Sequence, residues 1–217
     1  MMADEKKRDN EQKKLTSGQV VWEYVQAIIL AVILALLVRS FVLQAFQIPS
    51  GSMIPTFLEG DRVLVSKFAY GIRNPLTNKV WFETGQPQRW DVIIFIYPED
   101  HDKDFVKRVV GLPGETVSMV NGELFINGVR TEDPHGRYDP RANPIGRTFP
   151  EVTVDESQYF VMGDNRDHSS DSRFWGTVDS SLLKGKAWRL YWSWDSSDAD
   201  LGLGQRFRGS RVGLKIE

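Results

Sequence analysis

Two runs decide the fold: DVIIFIY, residues 91–97, and FVKRVVG, residues 105–111. Both are short and dominated by β-branched and aromatic residues, the composition of strands. Period-two alternation across the second run places Phe105, Lys107 and Val109 on one face and Val106, Arg108 and Val110 on the other. A lysine between phenylalanine and valine on an apolar face is unusual, because an isolated ammonium group is costly to bury. Two readings stay open at this point. Lys107 is an edge lysine whose head reaches water, or desolvation lowers its pKa so that it works as a neutral base near pH 7.

Similar runs recur on both sides: RVLVSKF, ELFING, QYFVMG and AWRLYWSW. Gly, Pro, Asn and Asp separate them, and VNGEL and INGV each offer an Asn-Gly turn. From residue 58 onward helical periodicity is hard to find. The pattern predicts a mainly β domain of antiparallel, curled sheets. One excursion, TEDPHGRYDPRANPIGRTFP at 131–150, carries four prolines and weak strand signals, and reads as an extended loop or arm.

The N-terminal part differs in kind. Residues 1–19 are polar and crowded with both signs of charge, a tail by composition. VVWEYVQAIILAVILALLV, residues 20–38, follows with Glu23 as its only formal charge. As a helix this run spans roughly 28 Å, about the hydrocarbon thickness of a bilayer. It is apolar all round, unlike a striped core helix, and longer than the apolar part of a cleaved leader. A retained single-pass anchor is the reading adopted. Lys6, Lys7, Arg8, Lys13 and Lys14 precede it and only Arg39 follows closely, so the positive-inside rule puts the N-terminus in the cytoplasm.

Composition narrows the function. Over 217 residues the net charge is −2, which offers no footprint for nucleic acid. The absence of cysteine removes disulfides, thiolate metal sites and a cysteine nucleophile together. His101, His135 and His168 stand in no recognisable triad context. The acidic stretch VMGDNRDHSSDSRFWG, residues 161–176, fails as a calcium loop, since Ser169 and Trp175 occupy the positions that need Gly and Glu. It reads either as a solvated Asx-rich turn or as a rigid platform in which Asp164, Arg166, Asp171 and Arg173 pair. FQIPSGSMIPTF, residues 46–57, is by itself a proline-glycine turn with two serines. A nucleophilic serine there needs a base, because an isolated hydroxyl is a poor nucleophile.

Four segments, in order, resemble the bacterial type I signal peptidases: PSGSM at 49–53, GDRVLVSKFAYG at 60–71, KRVVGLPGE at 107–115 and GDNRDHSSDSRFWG at 163–176. The likeness runs over about residues 20–195, anchor included. It implies a signal-peptidase/LexA-like catalytic core behind a transmembrane helix. The implied boundaries are a cytoplasmic tail at 1–19, the transmembrane helix at 20–40, the catalytic β core at 41–115 and 156–217, and a small β/loop insertion at 116–155.

The resemblance also implies roles. Ser52 is the nucleophile and Lys107 the general base of a Ser–Lys dyad, Ser50 supplies a hydroxyl to the oxyanion hole, Ser169 holds the lysine, and Asp171 and Arg173 form a supporting ion pair. Phe46, Ile48, Met53, Val63, Ile94, Phe105 and Val106 are the candidate substrate-binding residues, with core packing as their alternative role. The implied activity is removal of signal peptides from exported preproteins after small residues at −1 and −3, without metal or cofactor. The implied partners are those signal peptides and membrane lipid, and the implied place is the bacterial cytoplasmic membrane with the catalytic domain on the outer face. From Arg39 to Ser52 the chain reaches at most about 45 Å, which keeps the serine near that surface. A silent β-domain that merely binds exported proteins would have no use for both Ser52 and Lys107. The aromatic residues Trp188, Tyr191, Trp192 and Trp194 are read as core packing or as an interfacial cluster.

Overall fold

A computed structural model describes residues 17–41, 43–73, 80–195 and 206–216. The expected tail at 1–19 therefore lies outside the described residues except for its last three positions. Those three belong to α1, Ser17–Phe41, which starts earlier than the hydropathy pattern suggests. No proline or glycine interrupts α1 after Gly18, and its stretch Gly18–Leu36 is long and apolar enough to cross a membrane. None of that stretch is buried, so its apolar side chains face outward all round. A second compact unit spans Ser40–Glu217.

This second unit is built on antiparallel sheets. The strands are β1 Leu43–Gln47, β2 Asp61–Ser66, β3 Ile72–Arg73, β4 Val80–Phe82, β5 Val92–Tyr97 and β6 Asp100–Gly111. They continue as β7 Thr116–Val120, β8 Glu123–Ile126, β9 Val129–Thr131, β10 Phe149–Thr153, β11 Gln158–Met162, β12 Val178–Asp179 and β13 Leu183–Ser193. Among the described residues, seven strands form the main sheet in the order β1-β2-β13-β5-β6-β11-β12, four form a second in the order β10-β7-β8-β9, and β3 pairs with β4.

The alternation in FVKRVVG holds. β5 pairs with β6 in a register that sets Ile93 opposite Lys107 and Ile94 opposite Val106. Phe105 and Val109 pack with Ile93, Phe95, Tyr159 and Val161. Val106 packs with Ile48, Met53, Val63 and Ile94. Val110 joins Phe160 and Met162 under the second sheet, against Val117, Met119 and Leu124. β6 is thus buried on both faces where the lysine sits. Both Asn-Gly pairs make the expected hairpins, with φ of 51° and 86° at Asn121 and Gly122 and of 51° and 73° at Asn127 and Gly128. Positive φ at both central positions is what a two-residue turn of the right twist requires.

Between β9 and β10 the chain makes the expected excursion, and it is tied down along its length. It crosses the loop at 163–168 through backbone hydrogen bonds from Arg137 N to Asp164 O and from Arg166 N to Arg137 O, 2.8 and 2.9 Å. The C-terminal aromatics are not core: Trp188, Tyr191 and Trp192 are 44%, 36% and 39% exposed. Trp192 stacks on Trp194 and leans on Phe207, with centroids 6.5 and 4.7 Å apart.

Candidate active site

The Pro-Ser-Gly-Ser turn becomes a single 3-10 turn, Gly51–Met53, that follows β1 and precedes β2. Its apolar flank explains its place: Met53 and Phe57 are fully buried in the cluster with Val63, Val92 and Ile94. Burying them pins the intervening segment and leaves Ser52 at 8% exposure. Lys107, at 4% exposure, reaches it from the middle of β6 and donates Nζ to Ser52 Oγ at 2.7 Å. Ser50 Oγ lies 3.5 Å from Ser52 Oγ.

Of the two readings for Lys107, the exposed edge lysine is excluded by this burial. Desolvation is the main cause that lowers its pKa to about 8. The charges of Asp171 and Asp164 oppose that shift, and Arg173 reinforces it. A hydroxyl within hydrogen-bond reach of an amine whose pKa is lowered toward neutrality meets the geometric requirement for general-base activation of an alcohol.

The loop after β11 supplies the frame. Asp171 and Arg173 form an ion pair with neither side chain exposed, Nε to Oδ1 at 2.8 Å and Nη2 to Oδ2 at 2.9 Å. Asp171 also accepts from Gly163 N at 2.9 Å and caps the short helix α2, Ser172–Trp175, through Arg173 N. Ser169 is buried at 6% exposure, and its Oγ has no hydrogen-bond partner among the described residues, so it does not bond Lys107 in this structure. It lies against Gly163, where an added Cβ would fall on Ser169 Oγ and 2.5 Å from the Ser52 carbonyl oxygen. Glycine is needed there for close approach, since the backbone of this loop runs directly beside the turn that carries Ser52.

Three further residues, assigned no role from sequence, complete the frame. Arg108 binds Asp164 bidentately, and neither side chain is exposed. Its signal was present: alternation puts a guanidinium on an apolar face, where it requires a carboxylate. Thr56 donates to Asp164 Oδ2 at 2.5 Å and so ties the segment after Ser52 to the same ion pair. Asn165 donates its backbone N–H to the Ser52 carbonyl and its side-chain amide to the Gly51 carbonyl, both at 3.1 Å. Nothing in the local pattern around Asn165 announces that contact. Arg166 is buried as well, donates Nε to Gly163 O at 2.9 Å and pairs with Asp133.

The seven candidate substrate-binding residues divide. Ile48, Met53, Val63, Ile94 and Val106 share one buried cluster, with Phe46 packed at its margin. Ile48, Met53, Val63 and Ile94 are at most 2% exposed, so core packing is their role in this structure. Phe105 lies elsewhere, stacked on Tyr97 with centroids 4.3 Å apart and 5.3 Å beneath Lys107 Nζ.

The chain is similar to known proteins over most of its length. Residues 21–192 match the family described as signal peptidase, peptidase S26. Signal peptidase I of Pseudomonas fluorescens is 37% identical over 216 residues, which cover 84% of this chain and 76% of the relative. Signal peptidase I of Pseudomonas aeruginosa is 38% identical with the same coverage. Signal peptidase I of Bacillus licheniformis is 36% identical over 81% of this chain and 90% of its own.

Proposed function

The chain belongs to the signal peptidase family, peptidase S26, and on that footing we propose that it is a membrane-anchored Ser–Lys endopeptidase that frees exported proteins from their signal peptides. The observation that carries the reading is the buried 2.7 Å hydrogen bond between Lys107 Nζ and Ser52 Oγ. Neutral Lys107 takes the hydroxyl proton as Ser52 Oγ attacks the scissile carbonyl carbon. The resulting oxyanion is held by the Ser50 hydroxyl and the Ser52 N–H. The protonated lysine then returns its proton to the leaving amine, and an acyl-enzyme ester remains on Ser52. Lys107, neutral again, activates the water that hydrolyses this ester.

Ser169, Asp171 and Arg173 position the lysine in this reading. The buried Asp171–Arg173 pair supports that role by fixing the loop that carries Ser169. Partly buried Phe46 and the 8% exposed Val106, at the edge of the apolar cluster and backed by the buried Ile48, Met53, Val63 and Ile94, support shallow apolar subsites for small residues at −1 and −3, with Phe105 at the lysine. The separate four-stranded sheet β10-β7-β8-β9 supports residues 116–155 as a small β/loop insertion in the catalytic β core of 41–115 and 156–217. The charge pattern around the anchor supports a cytoplasmic N-terminus and a catalytic domain on the outer face of the bacterial cytoplasmic membrane.

The test is cleavage of a purified preprotein by the full chain in detergent. Wild type yields the mature protein, and both Ser52→Ala and Lys107→Ala abolish the product. Activity that survives either change sinks the dyad.

A further inference from the structure

The loop at 132–148 spends three hydrogen bonds on one carboxylate. Arg147 donates Nε to Asp167 Oδ1 and Nη2 to Asp167 Oδ2, both at 2.8 Å. The Asp139 N–H donates to Asp167 Oδ2 at 2.7 Å, and Arg147 Nη2 also donates to the Asp139 carbonyl at 2.8 Å. The Asp167 side chain is fully buried, and the Arg147 guanidinium lies over the Tyr138 ring, 5.1 Å from its centroid. A planar fork on a buried carboxylate fixes direction as well as distance, which a single point charge does not.

Asp167 is the middle residue of the turn Arg166–His168. On one side of that turn stands Asn165, whose two hydrogen bonds hold the Gly51 and Ser52 carbonyls. On the other stands Ser169, buried against Gly163. The nucleophile's turn is therefore held by a loop that is itself held from outside, through Asp167.

We propose that the loop at 132–148 is a latch that sets Ser52 against Lys107, with Arg147 as its chief positioning residue. The proposal rests on the Ser52–Lys107 reading above. Arg147 touches no reacting atom and acts through Asp167 and Asn165. Release of the latch displaces the nucleophile from its base while the apolar cluster beside it stays packed. The chemical step therefore loses more than substrate binding does.

The test measures preprotein cleavage by the full chain in detergent, well below its melting temperature, with near-ultraviolet circular dichroism as the fold control. Arg147→Ala lowers kcat about tenfold and leaves KM within about twofold of wild type. Arg147→Lys keeps the charge but loses the fork, and its kcat falls between the two. Ser52→Ala separates the two ideas. If it still cleaves, the dyad falls and the latch with it. If it is dead while Arg147→Ala keeps a wild-type kcat, or changes KM alone, the dyad stands and the latch is overturned. Should Arg147→Ala lose the native dichroism signal, Arg147→Lys decides. A kcat reduced about threefold or more in a native protein supports the latch, and an unchanged kcat overturns it.

Discussion

Arg108 and Asp164, 56 residues apart in the chain, bind each other through two hydrogen bonds of 2.8 and 2.7 Å with neither side chain exposed. The pair fastens the strand that carries Lys107 to the loop that carries Asn165 and Ser169, and Thr56 brings the segment after Ser52 to the same carboxylate. Removal of one partner leaves a buried charge without its counterion, which typically costs about 3–5 kcal/mol. Asp164→Ala is expected to lower stability by that order, read as a fall in the denaturation midpoint in detergent. Arg108→Met with Asp164→Leu removes both charges and is expected to lose much less. If the double variant falls as far as the single one, the charge imbalance is not the cause.

The pH dependence of cleavage follows from Lys107. Its pKa is lowered to about 8, chiefly by burial, and the proposed base is the neutral form. On this reading kcat/KM rises about tenfold per pH unit up to roughly pH 8 and levels off above it. A limb that instead continued to rise toward about pH 10.5, the ordinary lysine range, would show that the amine is solvated in the working enzyme.

The same group has a cost in stability. The folded chain binds the lysine proton less tightly than the unfolded chain does, so stability climbs with pH between about 8 and about 10.5 and is lowest below that window. The full penalty for such a shift is about 3 kcal/mol. Lys107→Met, similar in shape and uncharged, is expected to raise stability at pH 7 by about 1–3 kcal/mol while activity is lost. Equilibrium unfolding at pH 7 and pH 10 checks both the gain and its disappearance.

Ser50 stands 3.5 Å from Ser52 Oγ, and its proposed part is to donate to the oxyanion. Loss of one such donor typically costs about 2.7–4 kcal/mol of transition-state stabilisation. Ser50→Ala is expected to cut kcat by a corresponding factor of about 100 or more, with KM little changed. A near-wild-type kcat removes Ser50 from the oxyanion hole.

Gly163 is crowded by the Ser169 side chain and the Ser52 carbonyl. Gly163→Ala forces these apart, and overpacking of this kind typically costs about 1–3 kcal/mol. The expected result is a destabilised protein whose kcat falls further than its folded fraction does. A variant with unchanged kcat per folded molecule would show that the loop yields without moving Ser52.

Much of this molecule is written in local patterns. The apolar run at 20–38, the alternation in FVKRVVG and the Asn-Gly pairs each constrain the backbone over a few residues, and α1, β6 and the two hairpins follow them. The signal-peptidase motifs likewise singled out Ser52, Lys107, Asp171 and Arg173, and the structure brings them into one buried region. Local pattern is silent on partners far apart in the chain. That Lys107 meets Ser52, 55 residues away, depends on β6 lying between β5 and β11 and on β11 ending in a loop against the serine's turn. The clamp from Asn165, the service of Arg108 to Asp164 and the separation of Phe105 from the other apolar candidates were decided in the same way. A strand's own sequence sets which side chains share a face, but register and sheet order set what that face meets, and those arise only when distant segments bury their apolar surfaces together.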